Sequence, residues 1–445
     1  MAAEAVSPPP LTISKIVQVY WPLALSWLFM AMEGQAAMWL VGRMPDPKLS
    51  QAGLLIVFSL AIFIESPVID LLSTTTTLGI SKSRFAELTK FTLLLMAWVT
   101  AVHALVMFTP LYGLVAEGLL GAKPEVAAAA WPGLAWMTLW SAGVGWRRYL
   151  QGIMIRAGAT RPITLGTFIR VGALVAVGLP LSEMKIMPSL GVIGLAFLVA
   201  IWAEAGYIHI VSRKIVRELP EETETGPPTM GMRALLKFHV PLTLSTMVML
   251  TAPLFVSRAL TSSPEPIIAM AAWQVASTLT WLFRTATFAM PEAVISLYKL
   301  GRERLLGQFC LIVGFGLTSI MVLAHMAGVD SLVFKEIFGT EGEVTSRSAM
   351  AFLFMSPLPL LGGMMSYYRG ILTANHITWA RLLAIGVSIG SLVIGLWAGT
   401  LAGWLGIIVA GVAVTLAQGM EVVSLAFSWR MFLRKTGNPA KVEQT

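Results

Sequence analysis

The sequence predicts an all-α membrane protein of about twelve transmembrane helices, built as two six-helix repeats. Three observations predict it: the scarcity of charge, the regular spacing of apolar runs, and short motifs that recur at one interval. Charged residues are 12% of the 445 and the apolar set is 56%, with a mean hydropathy of +0.77. Soluble domains carry about 25% charged residues, so this chain cannot clothe a water-facing surface. A bilayer, by contrast, uses about 20 apolar residues per span.

Runs of that length fall at 13–41, 50–80, 91–115, 127–148, 163–181 and 189–211. The first follows a stretch, 1–10, with no basic residue, and is too long for a cleaved signal, so it is expected to remain as a span. A polar stretch, 213–232, then gathers Pro220, Glu221, Glu222, Glu224, Pro227 and Pro228. It reads as a cytoplasmic linker between a lobe at 1–212 and a lobe at 233–445. Six further runs follow at 234–260, 267–297, 305–327, 349–372, 379–400 and 404–427.

Basic residues test the count. With both termini cytoplasmic, twenty-two of the 31 Lys and Arg fall in loops on that side and seven on the other. Only Arg170 and Arg284 remain inside spans. The bias of loop Lys and Arg sets orientation, and an error of one span would scramble it. An integral, multi-pass protein of the cell (inner) membrane is expected. The same placement removes nucleic acid as a partner for the net charge of +8, because the positive residues sit in short loops rather than on one face.

Internal repeats come next. Pro22-Leu-Ala-Leu-Ser26 returns as Pro241-Leu-Thr-Leu-Ser245, 219 residues later. Tyr149-Leu-Gln-Gly-Ile153 returns as Tyr367-Tyr-Arg-Gly-Ile371 after 218, and Leu190-Gly-Val-Ile193 as Leu405-Gly-Ile-Ile408 after 215. Three matches in one order at nearly one offset describe a duplicated unit with parallel orientation.

Ionisable groups at bilayer depth cost about 2.5–3.5 kcal/mol on insertion scales, so each is a functional candidate. The first span carries Glu33 near Gln35; either Glu33 reaches headgroups, or it faces a wet cavity and takes up an ion. In the second span Ser59, Ser66, Asp70, Ser73 and Thr77 share one helical face, with Glu65 beside it and Pro67 removing a backbone donor. The eighth span answers with Gln274, Ser277, Arg284 and Thr287, beside Thr280 and before Pro291. Polar stripes cannot face lipid, so a shared polar cavity is expected, with an ion pair of Asp70 or Glu65 to Arg284 as the purely structural alternative. Substrate contacts are thus assigned to Ser66, Asp70, Arg170, Gln274 and Arg284, and ion coupling to Glu33, Glu65 and Asp70. Arg147 and Arg148 either join Arg170 in attracting an anion or snorkel to the interface as anchors. Glu204, Gln418 and Glu421 are further buried polar candidates that either serve a site or hold helices together.

Other chemistries lack their residues. Histidines 103, 209, 239, 325 and 376 are scattered without metal-ligand spacing. The lone Cys310 cannot form an intrachain disulfide. No Gly-Lys phosphate loop, G-x-S-x-G or H-E-x-x-H occurs, so neither an ATP-driven pump nor a catalytic centre is expected, nor a cofactor. An integral-membrane enzyme keeps only the thin hint of Arg147, Arg148 and Glu204.

With these features the chain resembles the multidrug/oligosaccharidyl-lipid/polysaccharide flippase (MOP) superfamily of MATE-like transporters. Within it, the likeness is to the progressive ankylosis (ANK) group of anion exporters. It is carried by Leu254-Phe-Val-Ser-Arg-Ala-Leu260, by Glu33 with Gln35, by Pro357, Pro359 and Gly370, and by Gly419-Met420-Glu421. The resemblance implies two six-helix lobes in a V that open alternately to either side, and export of an organic or phosphate-bearing anion; with no ATPase motif, energy is expected from an ion gradient, H+ or Na+, or from a partner. The acids Glu33, Glu65 and Asp70 would equally suit efflux of cationic drugs, and a lipid-linked oligosaccharide flippase remains a further alternative.

Overall fold

The computed structural model describes residues 11–159, 161–221, 230–298, 303–375, 377 and 379–436. The central part of the expected linker, 222–229, and His376 lie outside the described residues.

Among the described residues, twelve long helical segments run in order. They are α1 Ile13–Val41, α2 Pro47–Leu78, α3 Lys82–Met107, α4 (Pro124–Trp136 continued by Trp140–Arg156), α5 Arg161–Met184 and α6 Ser189–Arg217. The second set is α7 Met232–Thr261, α8 Pro266–Leu297, α9 Glu303–Met326, α10 Gly342–Ala374, α11 Trp379–Leu401 and α12 Gly406–Thr436. Eleven are long and apolar enough to cross a membrane. The exception is α4, whose two pieces of 13 and 17 residues meet at a 3-10 turn over Met137–Leu139. Large apolar side chains stay exposed along these helices, among them Ile312, Phe315, Ile394 and Trp397, as lipid-facing surfaces require.

Helix irregularities recur at the repeat interval. The helix of α2 breaks at Asp70 and that of α8 at Ala289, 219 residues on. A π-helical turn at Leu114–Leu119 returns at Val333–Ile337, again 219 on. The break in α4 matches one in α10 between Met355 and Leu358.

The two central breaks are satisfied by local chemistry. Pro67 has no N–H to give the carbonyl four residues back, and Ser66 Oγ donates to that Phe63 oxygen instead at 2.7 Å. Pro291 leaves the Thr287 carbonyl in the same position, and Ser366 Oγ donates to it at 2.8 Å. Hydroxyl donors within reach are how interrupted membrane helices keep their backbone paired.

Contacts divide the chain into two compact units. One holds Met1–Ala31, Ala276–Ser331 and Ala349–Thr445; the other holds Met32–Val275 and Leu332–Ser348. We call them the terminal unit and the middle unit. The terminal unit is packed around Tyr20, Met290, Val294, Met365, Ile371, Leu425 and Trp429, with the Tyr20 hydroxyl donating to Ala286 O at 3.1 Å. In the middle unit α4 and α6 touch backbone to backbone: a Cβ at Gly194 would lie 2.2 Å from Gly133 O. The units cut the chain differently from the sequence repeat, since residues 332–348 of the second half pack with the middle unit.

Candidate functional site

Five helices bring side chains of the middle unit together in a charged node well inside their lengths. Arg147 and Gln151 are one turn apart on α4 and therefore share a face. Both reach Glu204 of α6: Arg147 Nη1 donates to Oε2 at 3.1 Å and Oε1 at 3.3 Å, and Gln151 Nε2 donates to Oε1 at 3.3 Å. Arg170 of α5 sets its Nε 3.3 Å from Glu204 Oε2 and its Nη2 3.2 Å from Glu33 Oε2 of α1. Gly166, one turn before Arg170, leaves the room this needs, since a Cβ there would be 3.2 Å from Glu204 Cγ. Glu65 of α2 and Arg148 of α4 complete the set electrostatically.

The depth follows from helix rise. Glu204 is about 22 Å along α6 from Ser189 and about 20 Å from Arg217, and Arg170 about 14 Å from Arg161, at ~1.5 Å per residue. Glu204 is fully buried, and Arg147, Arg170 and Glu65 are buried. Three carboxylates and three guanidiniums give a net charge of zero when all are ionised, which is how a low-dielectric interior tolerates them.

The three acids are not equivalent. Glu204 accepts on both oxygens and is saturated. Glu33 Oε1 and Glu65 Oε2, although buried, have no hydrogen-bond partner among the described residues, nor have the Nε atoms of Arg147 and Arg148. Glu204 is therefore the fixed counterion of the node. Glu33 and Glu65 keep oxygens with which a proton, a cation or a hydrated ligand can bond.

Asp70 sits at the break of α2, in the same unit. His239 of α7 pins that break: its Nε2 lies 2.8 Å from Pro67 O and its Nδ1 2.8 Å from Thr74 Oγ1. A carbonyl oxygen only accepts, so Nε2 carries the proton, and in the neutral ring Nδ1 accepts from the threonine hydroxyl. Phe91 packs edge-on against the imidazole at 5.1 Å. Asp70 Oδ2 is buried without a hydrogen-bond partner among the described residues. Ser66, assigned from the sequence to substrate, is fully buried and gives its proton to its own helix.

The terminal unit carries a second node at repeat-equivalent positions. Arg284 of α8 donates from Nη2 to Gln418 Oε1 of α12 at 3.0 Å, and Gln418 Nε2 donates to Leu358 O at 2.9 Å. Arg369 of α10 is paired with Glu421 of α12, so Gln418 and Glu421, three residues apart, serve one face. Within this unit no described carboxylate lies at ion-pair distance from Arg284. Gln274 is buried in the middle unit.

Each helix pair keeps its own offset. Glu65 corresponds to Arg284, Gln151 to Arg369 and Glu204 to Glu421, at 219, 218 and 217, the intervals separating the starts of those helices. The contact of position 151 with 204 is thus repeated as 369 with 421.

One expectation needs correction. The snorkelling reading of Arg147 fails, because α4 continues to Arg156, eight residues past the end at 148 expected from hydropathy. That carries Arg147 inward to 4% exposure and onto Glu204. Gln151, Thr74 and His239 were not singled out for a site from the sequence. His239 is a polar ring two residues before a helix-interior proline, a weak signal that only the neighbouring break of α2 makes legible. Among the described residues no cluster of His, Cys, Asp and Glu could hold a metal.

No family model and no curated protein matches the chain. Solved structures do. The chain is similar to a multidrug resistance MATE family transporter of the MOP superfamily in an inward-facing conformation, with TM-score 0.70 at 13% identity, over 95% of this chain and 99% of that one. It is similar to a MOP superfamily transporter from Pyrococcus furiosus Vc1 with TM-score 0.64 at 13% identity, over 95% and 96%. The lipid II flippase MurJ, in an inward closed conformation, aligns with TM-score 0.67 at 12% identity, over 92% and 87%. The protein therefore has the MATE-like fold, all helical and multi-pass.

Proposed function

We propose that the protein is an alternating-access membrane transporter that exports a small organic solute, an organic or phosphate-bearing anion, coupled to H+ or Na+. The observation that carries this reading is the middle-unit node: six ionisable groups held inside the spans, two of them carboxylates with an oxygen left bare. Buried charges kept for structure alone are paired out, as Glu204 is. Glu33 and Glu65 are the coupling positions, with Asp70 at the α2 break as a third. Arg284, held by an amide instead of a carboxylate, is the group to which an anion would add most electrostatic benefit. The resemblance to the ANK group supports the anion, and the excess of basic loop residues supports cytoplasmic termini in the cell (inner) membrane. The matching helix breaks support reading 1–212 and 233–445, joined by 213–232, as duplicated lobes.

The test is flux in proteoliposomes with citrate, pyrophosphate, ATP and a cationic dye, each at two pH values and with and without a Na+ gradient. An anion should move, its rate should follow one of the gradients, and Glu33→Gln or Glu65→Gln should remove that dependence. Movement of the dye alone would replace the anion by a cationic drug, and movement only of a labelled lipid-linked sugar would make the protein a flippase. Product formation in detergent, where no gradient exists, would point to an enzyme.

A further inference from the structure

Two contacts in the middle unit mirror one another across the repeat. The first joins the end of α1 to the turn after the second π-helical segment. Gly42 and Gly339 approach so closely that a Cβ on Gly42 would lie 2.1 Å from Phe338 O, and a Cβ on Gly339 2.1 Å from Gly42 O. Gly339 also has φ +64, a conformation glycine adopts without penalty. Around this contact Gln51 Nε2 donates to Phe338 O at 2.9 Å and Arg43 Nη1 to Ile337 O at 3.1 Å. The second contact joins the end of α7 to the turn after the first π-helical segment. Thr261 Oγ1 donates to Leu120 O at 2.5 Å, and a Cβ on Gly121, at φ +68, would meet Arg258 Nη1 at 2.8 Å and Thr261 Oγ1 at 3.1 Å.

The pairs are equivalent: 42 and 261 differ by 219, as do 120 and 339. In each, a loop of one sequence half closes on the first helix of the other half. The first clasp rests on two side-chain hydrogen bonds and the second on one, so the net contribution of each is small. Both lie on the face opposite the termini. Deeper along the same helices, Ser59 of α2 and Ser257 of α7 are hydrogen-bonded at 2.9 Å and buried.

We propose that these reciprocal clasps, Gly42 with Phe338–Gly339 and Thr261 with Leu120–Gly121, are the gate that closes the protein on the face opposite its termini. The proposal rests on the transport reading for its purpose, but the closure it describes is measurable without any substrate. A two-state gate held by a few weak bonds shifts strongly when one clasp is obstructed. Obstruction at Gly42 is severe because backbone, which cannot swing aside, occupies the space.

The experiment places a reporter thiol beneath the clasps, Ser59→Cys in a Cys310→Ala background, in sealed vesicles with the termini inside. A membrane-impermeant thiol reagent is added outside. Adding Gly42→Val should raise the labelling rate about tenfold or more, and Thr261→Val, which only removes hydrogen bonds, about two- to fivefold. If Gly42→Val does not fold, the pair Arg43→Ala and Thr261→Val adds no bulk and should still accelerate labelling. Unchanged labelling in well-folded variants would overturn the gate. Accelerated labelling in a protein that moves none of the tested solutes would keep the gate and remove the transport assignment.

Discussion

Glu204→Gln separates the structural part of the charged node from its working part. The substitution keeps the size of the side chain and removes its charge. Arg147 then loses its ionic partner, which had contacted it at 3.1 Å, and Arg170 keeps Glu33 at 3.2 Å. The new amide also presents donors to a site already rich in them. Removing one partner of a buried pair costs about 3–5 kcal/mol, because the remaining charge stays desolvated. With an unfolding entropy of about 2.1 cal/mol/K per residue, a chain of this length loses about 1 °C of melting temperature per 0.9 kcal/mol. The expected loss is thus about 3–5 °C, read from thermal melting in detergent. Glu33→Gln removes a single contact from an arginine that keeps a second carboxylate, so its loss should be less than half as large. Replacing both partners, Glu204→Leu with Arg147→Met, removes the stranded charge and should recover most of the stability. If Glu204→Gln melts within about 1 °C of the unsubstituted protein, or destabilises it less than Glu33→Gln does, the division between fixed counterion and coupling acid is wrong.

Arg284→Ala should abolish anion flux in proteoliposomes while leaving the amount of protein in the membrane unchanged; full flux would remove Arg284 from the site. His239→Phe keeps the ring contact with Phe91 but leaves Pro67 O and Thr74 Oγ1 without their partner. It should lower the maximal transport rate more than apparent affinity, and His239→Gln, whose amide can donate to the carbonyl, should restore part of it.

What the sequence made legible follows from which signals are local. Helix number is a short-range property of composition and period, and it survives intact. Pro67 announced the interruption of α2, and its consequence, the Ser66 hydroxyl turned onto Phe63 O, is local too. That same bond removes Ser66 from the stripe, which periodicity alone cannot show, because a face of a helix does not say where a hydroxyl points. Arg147 was misplaced because apolar runs end where charge begins, whereas the helix itself continues through Tyr149, Leu150 and Met154 to Arg156. Its partner Glu204 is 57 residues away, and no local pattern encodes such a pairing. Asp70 and Arg284 were legible as buried charges, but their immediate neighbours, His239 and Gln418, come from helices more than 130 residues distant.

The duplicated positions show how one backbone came to hold two kinds of node. Both halves break the same helix at the same place and repair the proline-orphaned carbonyl with a serine, so the interruption belongs to the fold. The charges do not. Position 65 is an acid where 284 is a base, and 151 is an amide where 369 is an arginine, while the acid at 204 and 421 is shared. The Glu33, Arg147, Arg148 and Arg170 positions correspond to Ala252, Met365, Ser366 and Ser388 in the second half. A structural requirement for buried charge would act on both halves alike, because they share helix breaks and packing. Only one half keeps the six-charge node, and the other keeps the Arg369–Glu421 pair and an arginine held by an amide. The asymmetry is therefore chemical, and it fits a division of labour in which a proton or cation is bound by one half and an anion is attracted by the other.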